Sequence, residues 1–119
     1  MLRPFSRLLL LRHDGIAQLI QSALQRAAQL MLLVGDGGSY DEKPDYEANL
    51  AFATRLTEGL NALSPGLCRP VLVKHGRYNQ HVGTPSLLVE AGHNLNTLEE
   101  ALRAMPPLAE ALCGLLAGE

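Results

Sequence analysis

Ser86 to Arg103 reads Ser-Leu-Leu-Val-Glu-Ala-Gly-His-Asn-Leu-Asn-Thr-Leu-Glu-Glu-Ala-Leu-Arg. Leu87, Leu88 and Val89 make a short apolar run that stops on a carboxylate, Glu90, before Ala91-Gly92. A strand of Leu and Val cannot hide an ionised Glu without a partner, because an unpaired buried carboxylate costs several kcal/mol or takes up a proton. Glu90 is therefore expected at the C-terminal end of its strand, where α/β sheets place reactive groups. Asn96 and Thr97 each have a Glu three residues on, Glu99 and Glu100, which gives two overlapping capping-box registers for the start of a helix. The turn between strand and helix is thus short, and it brings Glu90, His93 and Asn94 close together.

Upstream, the same alternation of strand and helix repeats. Leu8 to Leu11 reads as a buried strand ended by Arg12-His13-Asp14-Gly15, and Ile16, Leu19, Ile20, Ala23, Leu24 and Ala27 recur at helical spacing from Ile16 to about Gln29. Leu30-Met31-Leu32-Leu33-Val34 is a second continuous apolar run, followed by the loop Gly35-Asp36-Gly37-Gly38-Ser39. No Lys-Ser or Lys-Thr follows those glycines and no helix opens from them, which argues against a nucleotide phosphate site. Asp45 or a neighbour can cap a helix to about Leu63 with Leu50, Ala53, Leu56, Leu60 and Leu63 inward, and Ser64-Pro65-Gly66 ends it. Pro70 to Val73 reads as a third buried strand, Ser86 to Glu90 as a fourth, and Thr97 to Leu116 as a last helix. Met105-Pro106-Pro107 predicts a kink or a break in that helix. Strands alternating with helices, each strand buried on both faces, predict an α/β three-layer fold with a mostly parallel sheet.

The bulk properties narrow the classes. A chain of 119 residues allows one domain with a modest core, and a net charge of −2 leaves no electrostatic footprint for nucleic acid. Cys68 and Cys113 have no metal-ligand spacing and read as small core residues, with a disulfide left open should the chain be exported. The leucines at Leu8 to Leu11 follow positive charge as an export signal would, but Arg12, His13 and Asp14 cut the run short, so no export signal and no transmembrane segment are expected.

Two motifs in order, Gly76-Arg77-Tyr78-Asn79-Gln80 and Leu87-Leu88-Val89-Glu90-Ala91-Gly92 through Asn96-Thr97-Leu98-Glu99-Glu100-Ala101, closely resemble the C-terminal part of the stage II sporulation protein P family. The resemblance covers most of the chain from about Ala27 and, more weakly, the segment near His13. It implies the zinc-dependent N-acetylmuramoyl-L-alanine amidase fold, a mixed central sheet flanked by helices, here lacking its N-terminal portion, so that residues 1–119 form a single truncated amidase-like domain. For residues 16 to 29 it implies extended structure in place of the helix that the periodicity favours. It further implies action on peptidoglycan outside the cytoplasmic membrane at the sporulation septum, with zinc as cofactor.

On that resemblance Glu90 is the general base that activates a zinc-bound water and then protonates the leaving amine; the physical logic is that zinc lowers the water's pKa to about 7 and a carboxylate in hydrogen-bond reach takes the proton. The alternative for Glu90 is a capping role or an ion pair with Arg77. A catalytic zinc needs about three protein ligands and an open position. The resemblance implies two histidines and a Glu, of which only His13 has a counterpart here, in Leu10-Leu11-Arg12-His13-Asp14 and one residue out of register. His75, His81 and His93 match no ligand spacing and read as solvated loop residues. Arg77, Asn79 and Gln80 have two readings: substrate-binding groups, with Arg77 clamping a stem-peptide carboxylate, or, for Asn79 and Gln80, groups that satisfy buried backbone in a long turn. Two functions follow: an N-acetylmuramoyl-L-alanine amidase with Glu90 as acid/base, or a non-catalytic peptidoglycan-binding remnant. A missing sheet half would leave strand edges open, so self-association or a partner chain is expected.

Overall fold

The computed structural model describes residues 27–118. The readings placed on Leu8 to Leu11, on His13 and on the helix from Ile16 lie outside the described residues, except that Ala27 to Gln29 form no regular element. The elements that follow are β1 (Leu30–Gly35), α1 (Tyr46–Leu63), β2 (Leu72–Lys74), a single 3-10 turn (Gln80–Val82), β3 (Leu88–Ala91), α2 (Leu98–Arg103) and α3 (Met105–Leu116).

The chain builds a small α/β unit around a three-stranded mixed sheet of order β2-β1-β3. β1 and β2 are parallel, with Leu33 beside Leu72 and Gly35 beside Lys74. β1 and β3 are antiparallel, with Leu33 opposite Leu88 and Met31 opposite Glu90. The sheet is mixed, as the resemblance implies, with one parallel and one antiparallel pairing where the alternation of elements suggested a mostly parallel one. The physical reason is the connection: α1 crosses over between β1 and β2, whereas the path from Lys74 to Leu88 holds only a 3-10 turn and returns the chain in the opposite direction.

β1 is the central strand, and Leu30, Leu32 and Val34 are each fully buried. They point to one face and pack with Ala53, Leu56 and Leu60 of α1 and with Leu67, Cys68 and Ala104. Each such leucine is worth about 2 kcal/mol in transfer free energy. The flanking strands are not buried on both faces as the sequence suggested. Leu72 and Val73 of β2 are 37% and 42% exposed, and Leu88 of β3 is 42% exposed. Among the described residues each of these strands has a neighbour on one side only, so its side chains lack half of their possible contacts.

The helices begin and end where local chemistry directs. The Asp45 carboxylate accepts the N–H of Ala48 at 3.2 Å and caps α1, which stops at Ser64. Of the two capping-box registers before α2, the structure uses Thr97 with Glu100: the Thr97 hydroxyl accepts the Glu100 N–H at 3.1 Å, and the Glu100 carboxylate accepts the Thr97 N–H at 3.0 Å. The expected break falls at Ala104, and Pro106 and Pro107 occupy the first turn of α3, where no intrahelical partner awaits a proline N–H. α2 buries none of its residues; its capping box and the Ala28 N–H, donated to the Glu100 carbonyl at 2.8 Å, hold it in place. Both cysteines are free thiols: Cys68 is a core residue, and Cys113 is half-buried on α3. No described helix is long and apolar enough to cross a membrane.

Candidate functional site around the ends of β1

Polar groups gather at both ends of the sheet. At the carboxyl ends of β1 and β2, Asp36 accepts the Gly38 N–H at 2.8 Å and meets His75 Nδ1 at 3.3 Å. The Gly38 N–H and then His75 hold the Asp36 carboxyl below the usual carboxylate range. The Arg77 guanidinium lies 4.0 Å over the Tyr40 ring and donates to the Glu42 carbonyl at 3.3 Å. The loop turns sharply at Tyr78 and Asn79, whose φ angles are +51° and +59°. Asn accepts the left-handed region readily, whereas for Tyr78 it is an uncommon conformation. A Cβ on Gly76 would come within 2.7 Å of the Tyr78 ring, so the glycine is required where that residue folds back.

Gln80 locks this loop onto the sheet. Its side chain is buried; its Oε1 accepts the Gly35 N–H at 2.9 Å and its Nε2 donates to the Leu33 carbonyl at 3.1 Å. β3 pairs with β1 only as far as Leu33, and the Gln80 carboxamide takes the backbone groups of β1 just beyond. Asn49, on the inner stripe of α1, acts similarly: fully buried, it accepts the Ser86 N–H at 2.7 Å and so fixes the approach to β3. The helical spacing of Asn49 with Ala53, Leu56 and Leu60 was a signal that could have marked it as buried. Asn49 Nδ2 and His81 Nδ1 are buried without a hydrogen-bond partner.

Glu90 lies at the other end. It is the third residue of β3, exposed, and opposite Met31 near the start of β1. Four residue steps along β1 lead from Met31 to Gly35, about 13 Å along the strand. Glu90 and the Arg77 to Gln80 loop, near each other in sequence, thus lie toward opposite ends of the sheet, because β3 runs antiparallel to β1. Arg77 is engaged with Tyr40 and Glu42 and makes no ion pair with Glu90. The histidines divide likewise, His75 standing by Asp36 and His93 in the turn after Glu90.

That turn is tightly built. Gly92 takes φ +81°, and a Cβ there would lie 2.5 Å from Asn96 Oδ1 and 3.0 Å from the Ala28 Cβ. Asn96 Oδ1 accepts the His93 N–H at 2.9 Å, Asn96 Nδ2 donates to Glu100 at 3.0 Å, and the His93 ring accepts the Leu95 N–H at 3.1 Å. Asn96 and then the Thr97 N–H hold the Glu100 carboxyl below its usual value. The result is a rigid base for Glu90 at the carboxyl end of β3.

The described residues hold no group of three or more His, Cys, Asp or Glu that could bind a metal ion. His13 lies outside them, so residues 27–118 alone do not supply the donor set that a catalytic zinc requires.

No curated protein and no solved structure matches the chain. The family model of Stage II sporulation protein P matches residues 23–113, a span that takes in β1, the Gln80 clamp, Glu90 and the capped start of α2. The chain belongs to the Stage II sporulation protein P family.

Proposed function

We propose that this sporulation protein is a cell-wall hydrolase that cleaves the amide between N-acetylmuramic acid and L-alanine in peptidoglycan. The observation that carries the reading is the family match over residues 23–113, within which Glu90 is exposed at the end of a strand and seated on a turn held by Asn96. In this reading Glu90 takes a proton from the attacking water as its oxygen bonds to the lactyl carbonyl carbon. It returns that proton to the alanine nitrogen as the C–N bond breaks, leaving a carboxylate and a free amine. The described residues hold no group of three or more metal donors. Arg77 and Asn79, exposed or half-buried at the far end of the sheet, would contact a more distant part of an extended glycopeptide.

The test is the release of new alanine amino groups from purified peptidoglycan by the whole chain, beside Glu90→Gln. Release by the parent and none by the variant supports the reading. No release by either, with both retained on sedimented peptidoglycan, favours the second reading, a binding module without catalysis. The observation behind that second reading is the missing three-ligand group among the described residues.

A further inference from the structure

Of the Tyr and Phe rings among the described residues, Tyr46 and Phe52 of α1 pack against the core. Tyr40 and Tyr78 do not, and they remain 52% and 42% exposed. The loops after β1 and β2 bring these two to one end of the sheet, and they touch through glycines. The Gly37 N–H donates to the Gly76 carbonyl at 2.7 Å, and a Cβ on Gly38 would lie 3.3 Å from Gly76 Cα. The Tyr40 N–H donates to the Gly37 carbonyl at 3.2 Å, and the Arg77 guanidinium covers one face of the Tyr40 ring. Tyr78 follows at φ +51°, with its Cδ2–Cε2 edge against the bare backbone of Gly35 and Gly76. A bulky residue in the left-handed region carries strain, yet its ring is left half-exposed. Strain of this kind persists where a site needs a group held in place.

We infer that Tyr40 and Tyr78 form a sugar-stacking platform that holds the glycan of the substrate polymer, away from the bond that Glu90 is proposed to cleave. The choice of polymer rests on the function proposed above; the stacking site rests on the two rings. A pyranose carries C–H bonds on a flat face and hydroxyl groups around its rim. The flat face packs on an aromatic ring, and here the face of Tyr40 opposite the Arg77 guanidinium receives it. The rim needs groups that donate and groups that accept. Asp36, His75 and Asn79 supply them from the same two loops, and all three are exposed. An extended peptide has no comparable flat apolar face, which favours the glycan over the stem peptide as the occupant.

Soluble oligomers of N-acetylglucosamine test this, because they carry the sugar rings but neither a stem peptide nor a lactyl amide. The whole chain, labelled at its backbone nitrogens, is titrated with the tetramer. The expected result is saturable shifts at the amides of Gly37 to Asp41 and His75 to Asn79 and at the ring protons of Tyr40 and Tyr78, with the amides of Gly92 to Leu95 unmoved. Binding should be about fivefold weaker in Tyr40→Ala and unchanged in Tyr40→Phe, which keeps the ring. No saturable shift at millimolar tetramer, shifts confined to other residues, or equal binding by Tyr40→Ala would each overturn the inference. A stem peptide without sugar that moves the same amides in place of the tetramer would overturn it too. Glu90→Gln should bind the tetramer as the parent does, so loss of alanine release with binding kept, or the reverse, separates failure of the proposed function from failure of the platform.

Discussion

The carboxamide oxygen of Gln80 accepts the Gly35 N–H across 45 residues of sequence, and the same amide donates to Leu33. Replacing Gln80 by Leu would leave both backbone groups buried and unsatisfied, a cost of about 1–3 kcal/mol for each group before relaxation. Gln80→Leu is therefore expected to lower the urea midpoint strongly. Gln80→Glu is expected to destabilise as well, since a carboxylate can accept from Gly35 but cannot donate to Leu33. Urea unfolding of the two variants beside the parent checks this.

The Glu90 carboxylate makes no hydrogen bond or ion pair among the described residues. Glu90→Gln is therefore expected to change stability by less than about 0.5 kcal/mol, while abolishing the proposed release of alanine amino groups. A parallel loss of both stability and activity would assign Glu90 a structural role in place of a chemical one.

Gly92 occupies a left-handed conformation where a Cβ would meet Asn96 and Ala28. Gly92→Ala is expected to cost about 1–3 kcal/mol and to loosen the turn beneath Glu90. Thermal unfolding reports the first effect, and amide exchange at His93 and Leu95 reports the second.

α2 depends on its capping box. Thr97→Ala is expected to cost about 1 kcal/mol, read as lost amide protection in Leu98 to Arg103 with β1 unaffected. Glu100 and Asp36 both titrate below their ordinary values of 4.5 and 3.8. A carboxyl with a depressed folded pKa stabilises fully above its unfolded value and loses that contribution as pH falls through the folded one. Acid should thus begin to fray α2 as pH falls below about 4.5 and to weaken the Asp36 contacts only below about 3.8. Backbone amide signals followed through an acid titration test both.

The two thiols should differ. Cys68 is 4% exposed, its Sγ 3.7 Å from the Thr57 hydroxyl, and burial pushes its pKa up. A thiol reagent should label half-buried Cys113 first, and Cys68 only after denaturant is added. Simultaneous labelling in native buffer would show that the core around Cys68 opens locally.

Much of the local structure is written in single stretches of sequence. The apolar run from Leu30 gave β1, Asp45 and Ser64 bounded α1, Thr97 with Glu100 started α2, and the prolines after Met105 divided the last helix. Each rests on interactions within a few residues, capping, periodicity or a missing N–H, so it needs no knowledge of the rest of the chain. The family, too, was legible, because the Arg77 to Gln80 and Leu87 to Ala101 motifs are contiguous.

Only the tertiary structure decided what lies beside what. The direction of β3 depends on how a loop returns to the sheet, and that direction sent Glu90 and Gln80 to opposite ends of β1. The choice between a ligand group and a backbone clamp for Gln80 depended on two backbone groups 45 and 47 residues away. The exposure of β2 and β3 followed from their positions at the sheet's edges. A sequence fixes the chemistry that each residue carries; pairing between distant strands, set by long-range packing, fixes which groups of that chemistry can meet.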